Sequence, residues 1–149
     1  MFFSQDRNEI RQFFRSSWKK LIDKKPIEPL EILVGEVVAM HPEYHSMLET
    51  EQTDLDKDYL AEDGQTNPFL HMGMHITLRE QCGSNHPNGI SEIYKKILIK
   101  LANQHETEHL MMDCLAETLW QAQKTGQLPD DQAYLGCLNQ LINKIDTKL

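Results

Sequence analysis

The sequence predicts an all-α protein, a single-domain helical bundle of about five or six helices spanning residues 1–149. Three observations predict it. Apolar residues recur at three- and four-residue spacing through most of the chain, strand-like alternation of useful length is absent, and Pro, Asn and Gly fall where helices start and stop. A chain of 149 residues with 40% apolar and 26% charged residues is sized and composed as one soluble domain.

The first helix is expected over about residues 4–22. Ser4 serves as N-cap, and Ile10, Phe13, Phe14, Trp18 and Leu21 form one apolar stripe. Pro26 and Pro29 break it. A second helix starts at Pro29 or Leu30, a position that welcomes proline, and turns Leu30, Leu33, Val34, Val37 and Val38 inward. Pro42 interrupts it, and a short third turn follows to Glu49. Residues 50–66 are acidic and turn-rich and read as a connecting loop. Their acids do not fit the twelve-residue calcium loop.

Asn67-Pro68 opens the next helix as N-cap and first helical residue, and Gly83 is expected to stop it. Residues 83–89 read as a loop. A further helix covers about Ile90–Ala102, and Asn103 either breaks it or lies within it. The helical pattern resumes from Gln104 to about Lys124, closed by Gly126, and a last helix runs from Pro129 or Asp130 to Lys144. Trp18, Trp120 and the phenylalanines are taken as core anchors.

Acids outnumber bases 23 to 15, for a net charge of −8. This excludes a phosphate-backbone binder and an anionic-membrane binder, both of which depend on Lys and Arg. A basic cluster (Arg11, Arg15, Lys19, Lys20, Lys24, Lys25) reads as a solvated helix face. No run of apolar residues is long enough for a membrane span, and the N-terminus lacks the layout of a secretory signal. Cys82, Cys114 and Cys137 are odd in number and widely spaced, matching neither a disulfide framework nor a zinc knuckle. A reduced, cytoplasmic protein is expected.

The histidines carry the chemistry. His41/His45, His71/His75 and His105/His109 are each four residues apart, and these six leave only His86 of the chain's seven. Random placement would give roughly a third of one such pair. On a helix, positions i and i+4 share a face, so each pair can present two imidazoles to one ion. His71 and His75 lie beside the row Leu70, Met74, Leu78, Cys82. His105 and His109 share a face with Met112 and Ala116, beside the stripe Met112, Leu115, Leu119. Two pairs facing each other would supply four nitrogens, as metal-binding bundles do. Asp113 stands one turn after His109 and could add an oxygen. Pro42 spoils the helical geometry of the first pair, which makes His45 its better donor. The expected ligands are therefore His71, His75, His105 and His109, with Asp113 or His45 completing the shell. The ion would be zinc, iron, manganese or nickel, with no organic cofactor.

Two enzymatic readings are disfavoured. His105-Glu106-Thr107-Glu108-His109 contains the His-Glu-x-x-His of metallopeptidases, but that chemistry is built beside a sheet, and no strands are predicted. Cys82, seven residues after His75, could be an activated thiol, yet a small buried hydrophobe is the plainer reading.

Three stretches resemble hallmark segments of a bacterial family. They are His41-Pro-Glu-Tyr-His45, Asn67-Pro-Phe-Leu-His-Met-Gly-Met-His75 with Arg79-Glu80-Gln81, and His109-Leu-Met-Met-Asp-Cys-Leu-Ala-Glu-Thr-Leu-Trp-Gln-Ala-Gln123. The family is the domain-of-unknown-function family number 1841, small proteobacterial proteins, and the likeness runs from the Phe13–Trp18 helix to about Cys137. Asp113 and Gly73 stand where relatives are expected to carry a glutamate and a small polar residue. The resemblance implies a cytoplasmic bacterial protein of about this length and no particular activity. More distantly, the pattern is similar to DinB-like and hemerythrin-like metal bundles in ligand type alone.

Two functions fit the sequence: a helical metal-binding protein, or a non-catalytic interaction protein whose histidines form a hydrogen-bonded core network. Whether it is an enzyme is open. No nucleic-acid or membrane partner is expected. A homo-oligomer could use the last helix (Tyr134, Leu135, Leu138, Leu141, Ile142), although core packing is the favoured reading of that stripe.

Overall fold

The structure, a computed structural model, describes residues 7–50, 57, 59 and 67–147. Among the described residues there are seven α-helices, one 3₁₀ turn and no strand, so the chain is all-α. The helices are α1 (Arg7–Ile22), α2 (Pro29–Ala39), α3 (His45–Glu49), α4 (Pro68–Ser84), α5 (Ile90–Leu101), α6 (Gln104–Thr125) and α7 (Asp131–Thr147). Seven exceeds the expected five or six because the stretch after Pro42 forms a 3₁₀ turn (Pro42–Tyr44) and then a helix of its own. The expected Ser4 cap and most of the acidic loop lie outside the described residues. Contacts group into two compact units, Met1–Ile76 and Thr77–Leu149, with the division inside α4.

In the first unit α1 packs on α2 and α3. Phe14, Val34, Val37, Val38, Leu48, Phe69, Met72 and Ile76 form its core, with Trp18 packed against it. α1 and α2 approach closely at Gly35. A Cβ there would meet Leu21 Cδ2 at 3.1 Å and Ser17 O at 3.5 Å, and Ser17 is fully buried. Before α2, the Glu28 backbone N–H donates to Glu31 Oε1 (2.9 Å), satisfying an orphan donor of the first turn. The basic cluster is not simply solvated. Arg11 is buried, donates from Nη1 to Lys57 O (2.8 Å) and lies over the Phe69 ring (4.9 Å). Its long stem and flat charge suit an apolar wall lined by aromatic faces.

In the second unit α5, α6 and α7 pack against one another. The breaks are made by side chains the sequence offers. Asn103 caps α6 by accepting from Glu106 N (2.9 Å), and Ala102 takes a left-handed φ of 54°, so Asn103 does end one helix and start the next. Asp130 caps α7 by accepting from Gln132 N and Ala133 N. Gly83 does not stop α4. The helix continues to Ser84, and Asn85 takes the left-handed turn instead (φ 52°). Asn85 Oδ1 then accepts from Gly89 N and Ser91 N, which organises the loop. Tyr134 and Leu138 are buried, so the α7 stripe serves packing there. Trp120 is no core anchor. It is 53% exposed, with Lys124 Nζ 5.0 Å from its ring.

Cys114 and Cys137 form a disulfide joining α6 to α7 (Cα–Cα 5.8 Å), which corrects the expectation of three reduced cysteines. Wide sequence spacing did not forbid it, because antiparallel neighbours bring distant positions together.

Candidate metal centre

Three imidazoles meet in the first unit. α4 carries His71 and His75, with N-cap Asn67 accepting from Phe69 N and Leu70 N. The helix is rotated relative to the expected inward row. Leu70 is 58% exposed, whereas Phe69, Met72, His75 and Ile76 are buried. His75 therefore lies within the buried face rather than beside it. Its ring centroid is 4.9 Å from that of His71.

His41 supplies the third ring. As the residue before Pro42 it leaves helical geometry (φ −124°, ψ 69°). That departure turns the side chain inward, where it is buried. Its ring lies 4.7 Å from His75 and 5.0 Å from His71, both edge-on. Its Nδ1 donates to Val37 O at 2.7 Å, one of the carbonyls at the end of α2. A neutral imidazole held this way carries its lone pair on Nε2. The Tyr44 ring stacks on His41 at 5.6 Å, and burial, followed by the nearby Glu43 charge, pushes its hydroxyl pKa upward.

His45 is placed differently. Its Nε2 is 2.7 Å from Val38 O, and its ring lies 4.3 Å from that of Trp18. Of the first pair, then, it is His41 that stands with His71 and His75. Sequence reasoning set His41 aside because Pro42 breaks the i, i+4 face, yet the same proline produces the bend that aims it inward.

In the second unit His105 and His109 share a face of α6, with ring centroids 4.1 Å apart. His105 is half-buried and His109 exposed. Asp113, one turn on, is exposed. Glu106, the base position of the peptidase-like motif, is exposed in the first turn of α6. Glu108 is the buried acid of the segment, and it is committed elsewhere. Arg79 Nε donates to both its oxygens, at 3.1 and 3.3 Å. Glu108 is thus held in an ion pair, whereas Glu106 is open to solvent.

Cys82 is not an activated thiol. Burial, and then the Glu108 charge, push its pKa up to about 11. Tyr134 Oη donates to Gln81 Oε1 at 2.7 Å, and burial, with the nearby Cys82, raises its pKa too.

These features define a class: all-α proteins that collect imidazoles on helices and at a pre-proline bend. A family model described as Domain of unknown function (DUF1841) matches residues 6–140, and the chain belongs to that family. No curated protein and no solved structure matches the chain.

Proposed function

We propose that His41, His71 and His75 bind one transition-metal ion, with His105 and His109 a separate imidazole pair on α6 of the second unit. The observation that carries this reading is that the three rings lie 4.7, 4.9 and 5.0 Å from one another within the first unit. The group contains imidazoles alone. Imidazole suits zinc, iron and nickel, whereas manganese prefers carboxylate and water, so manganese drops to last among the ions first considered. The hydrogen bond from His41 Nδ1 to Val37 O supports the reading, because ligating histidines commonly hold their second nitrogen on a carbonyl or carboxylate. Of the residues expected to complete the shell, His45 bonds Val38 O instead and Asp113 is exposed on α6. An ion with an open position would acidify a bound water; no reaction is assigned beyond that.

The second reading is the interaction protein with a histidine core network. The bonds of His41 and His45 to Val37 O and Val38 O favour it, since they tie both rings to the last turn of α2 as second donors to carbonyls that already accept Met40 N and His41 N. A bacterial, cytoplasmic setting goes with the family resemblance, although a disulfide is more at home outside the cytoplasm.

Elemental analysis of protein purified without a nickel column separates the two. The metal reading expects about one equivalent of zinc, iron or nickel per chain, lost in His71→Ala/His75→Ala and in His41→Ala, and unchanged in His45→Ala. Metal-free protein that no divalent ion binds or stabilises would overturn it in favour of the network.

A further inference from the structure

We propose that Cys114–Cys137 is a thiol-exchange site at which a small neutral or cationic thiol attacks Cys137. The two sulfurs are unequally accessible. Cys114 is only 1% exposed, whereas Cys137 is half-buried. Cys137 also lines a cleft of about 460 Å³ in the second unit, formed with Glu117, Thr118 and Gln121 of α6 and with Asp130 and Ala133 at the start of α7. Such a volume admits a small molecule. Among the described residues that line it, the charges are both acidic, Glu117 and Asp130. An anionic thiol is therefore repelled and a cationic one is attracted.

The chemistry balances without a further reagent. The incoming thiolate bonds to Cys137 Sγ, the Cys114–Cys137 bond breaks, and Cys114 leaves as a thiolate that takes a proton from water. A second thiol attacks the mixed disulfide, forming the small-molecule disulfide and releasing Cys137 as a thiol. The protein bond gains two electrons and the two small thiols lose them. The remaining cysteine does not compete, since Cys82 stays protonated with its pKa at about 11. α7 keeps other anchors after exchange: the Tyr134–Gln81 hydrogen bond, the buried Leu138 and the Lys100–Asp146 ion pair.

The test uses the full chain purified without reductant. It is exposed briefly to cysteamine or to 3-mercaptopropionate, quenched with N-ethylmaleimide, digested and mapped by mass spectrometry. Rates are normalised to those of the same thiols on a small-molecule disulfide. The expected product carries the mixed disulfide on Cys137 and the maleimide on Cys114. Cysteamine should react about threefold or more faster at low ionic strength, and Glu117→Gln/Asp130→Asn should erase the difference. Asn retains the cap of α7, so that variant keeps the fold. Adducts on Cys114, equal normalised rates, or three maleimide-labelled cysteines before any thiol is added would overturn the proposal.

Discussion

Removing the Glu108 carboxylate should destabilise the protein by about 3–5 kcal/mol. The side chains of Glu108 and Arg79 are 2% and 12% exposed, and their closest approach is 3.1 Å. At an effective dielectric constant of about 20, a pair at that distance gains roughly 5 kcal/mol of Coulomb energy. Desolvation offsets much of this, so the pair's net contribution is small. Breaking the pair is another matter, because Glu108→Ala leaves a guanidinium in a place with little water. The remaining exposure of Arg79 puts the cost toward the lower end of the range. Arg79→Met/Glu108→Met removes both charges and should cost no more than about 1–2 kcal/mol. Urea unfolding of the wild type, Arg79→Met, Glu108→Met and the double variant measures the cycle, with the midpoint shifting at unchanged slope. A loss below about 1 kcal/mol for Glu108→Ala, or a double variant as unstable as the two singles summed, would refute the argument that the charges depend on each other.

Three further outcomes are expected. The Lys20 ammonium, then the Glu28 N–H, hold the Glu31 carboxyl below its ordinary value of 4.5. The stabilisation this gives is present above 4.5 and is lost as pH falls through the lower folded value. The stability gap between wild type and Glu31→Gln should therefore be flat near neutrality and close on acidification, as read by denaturant midpoints across pH. Gly35→Val should cost about 1–3 kcal/mol and lower the melting temperature, because the new side chain presses Leu21 where a Cβ already meets it at 3.1 Å. Cys114→Ser/Cys137→Ser opens a loop spanning 23 residues and should lower stability by about 3.4 kcal/mol in the chain-entropy account, measured under non-reducing conditions.

The parts of the fold legible in the sequence are those set by local chemistry. Asn67, Asn103 and Asp130 each offer a short acceptor to the first N–H groups of a helix, and each is a cap in the structure. Pro29 and Gly126 likewise mark the start of α2 and the end of α6. What sequence alone misplaced depended on which neighbour a helix met. α4 is apolar nearly all round, so Leu70, Met74, Leu78 and Phe69, Met72, Ile76 are both plausible inward rows, and periodicity cannot choose between them. The structure buries the second together with Leu78 of the first, while Leu70 is exposed, and this sets His75 among core residues. The Cys114–Cys137 bond was hidden for the same reason, since α6–α7 packing is tertiary information.

His41 shows why the histidine pattern was informative and yet incomplete. Four-residue spacing identifies ligand pairs only where the backbone is helical, and His71/His75 and His105/His109 satisfy that condition. His41/His45 straddles a proline, so its two rings part company. One turns back onto Val37 O and meets His71 and His75, and the other sits on Val38 O and Trp18. A pre-proline residue loses the helix's fixed side-chain direction, but the last turn of α2, just before it, still holds the ring through Val37 O, which also accepts from Met40 N. The bend therefore does the work that a fourth-residue repeat does elsewhere in this chain. The rule that follows is that a histidine just before a proline at a helix end should be weighed as a donor together with nearby i, i+4 pairs, because a carbonyl of the preceding helical turn can fix its tautomer.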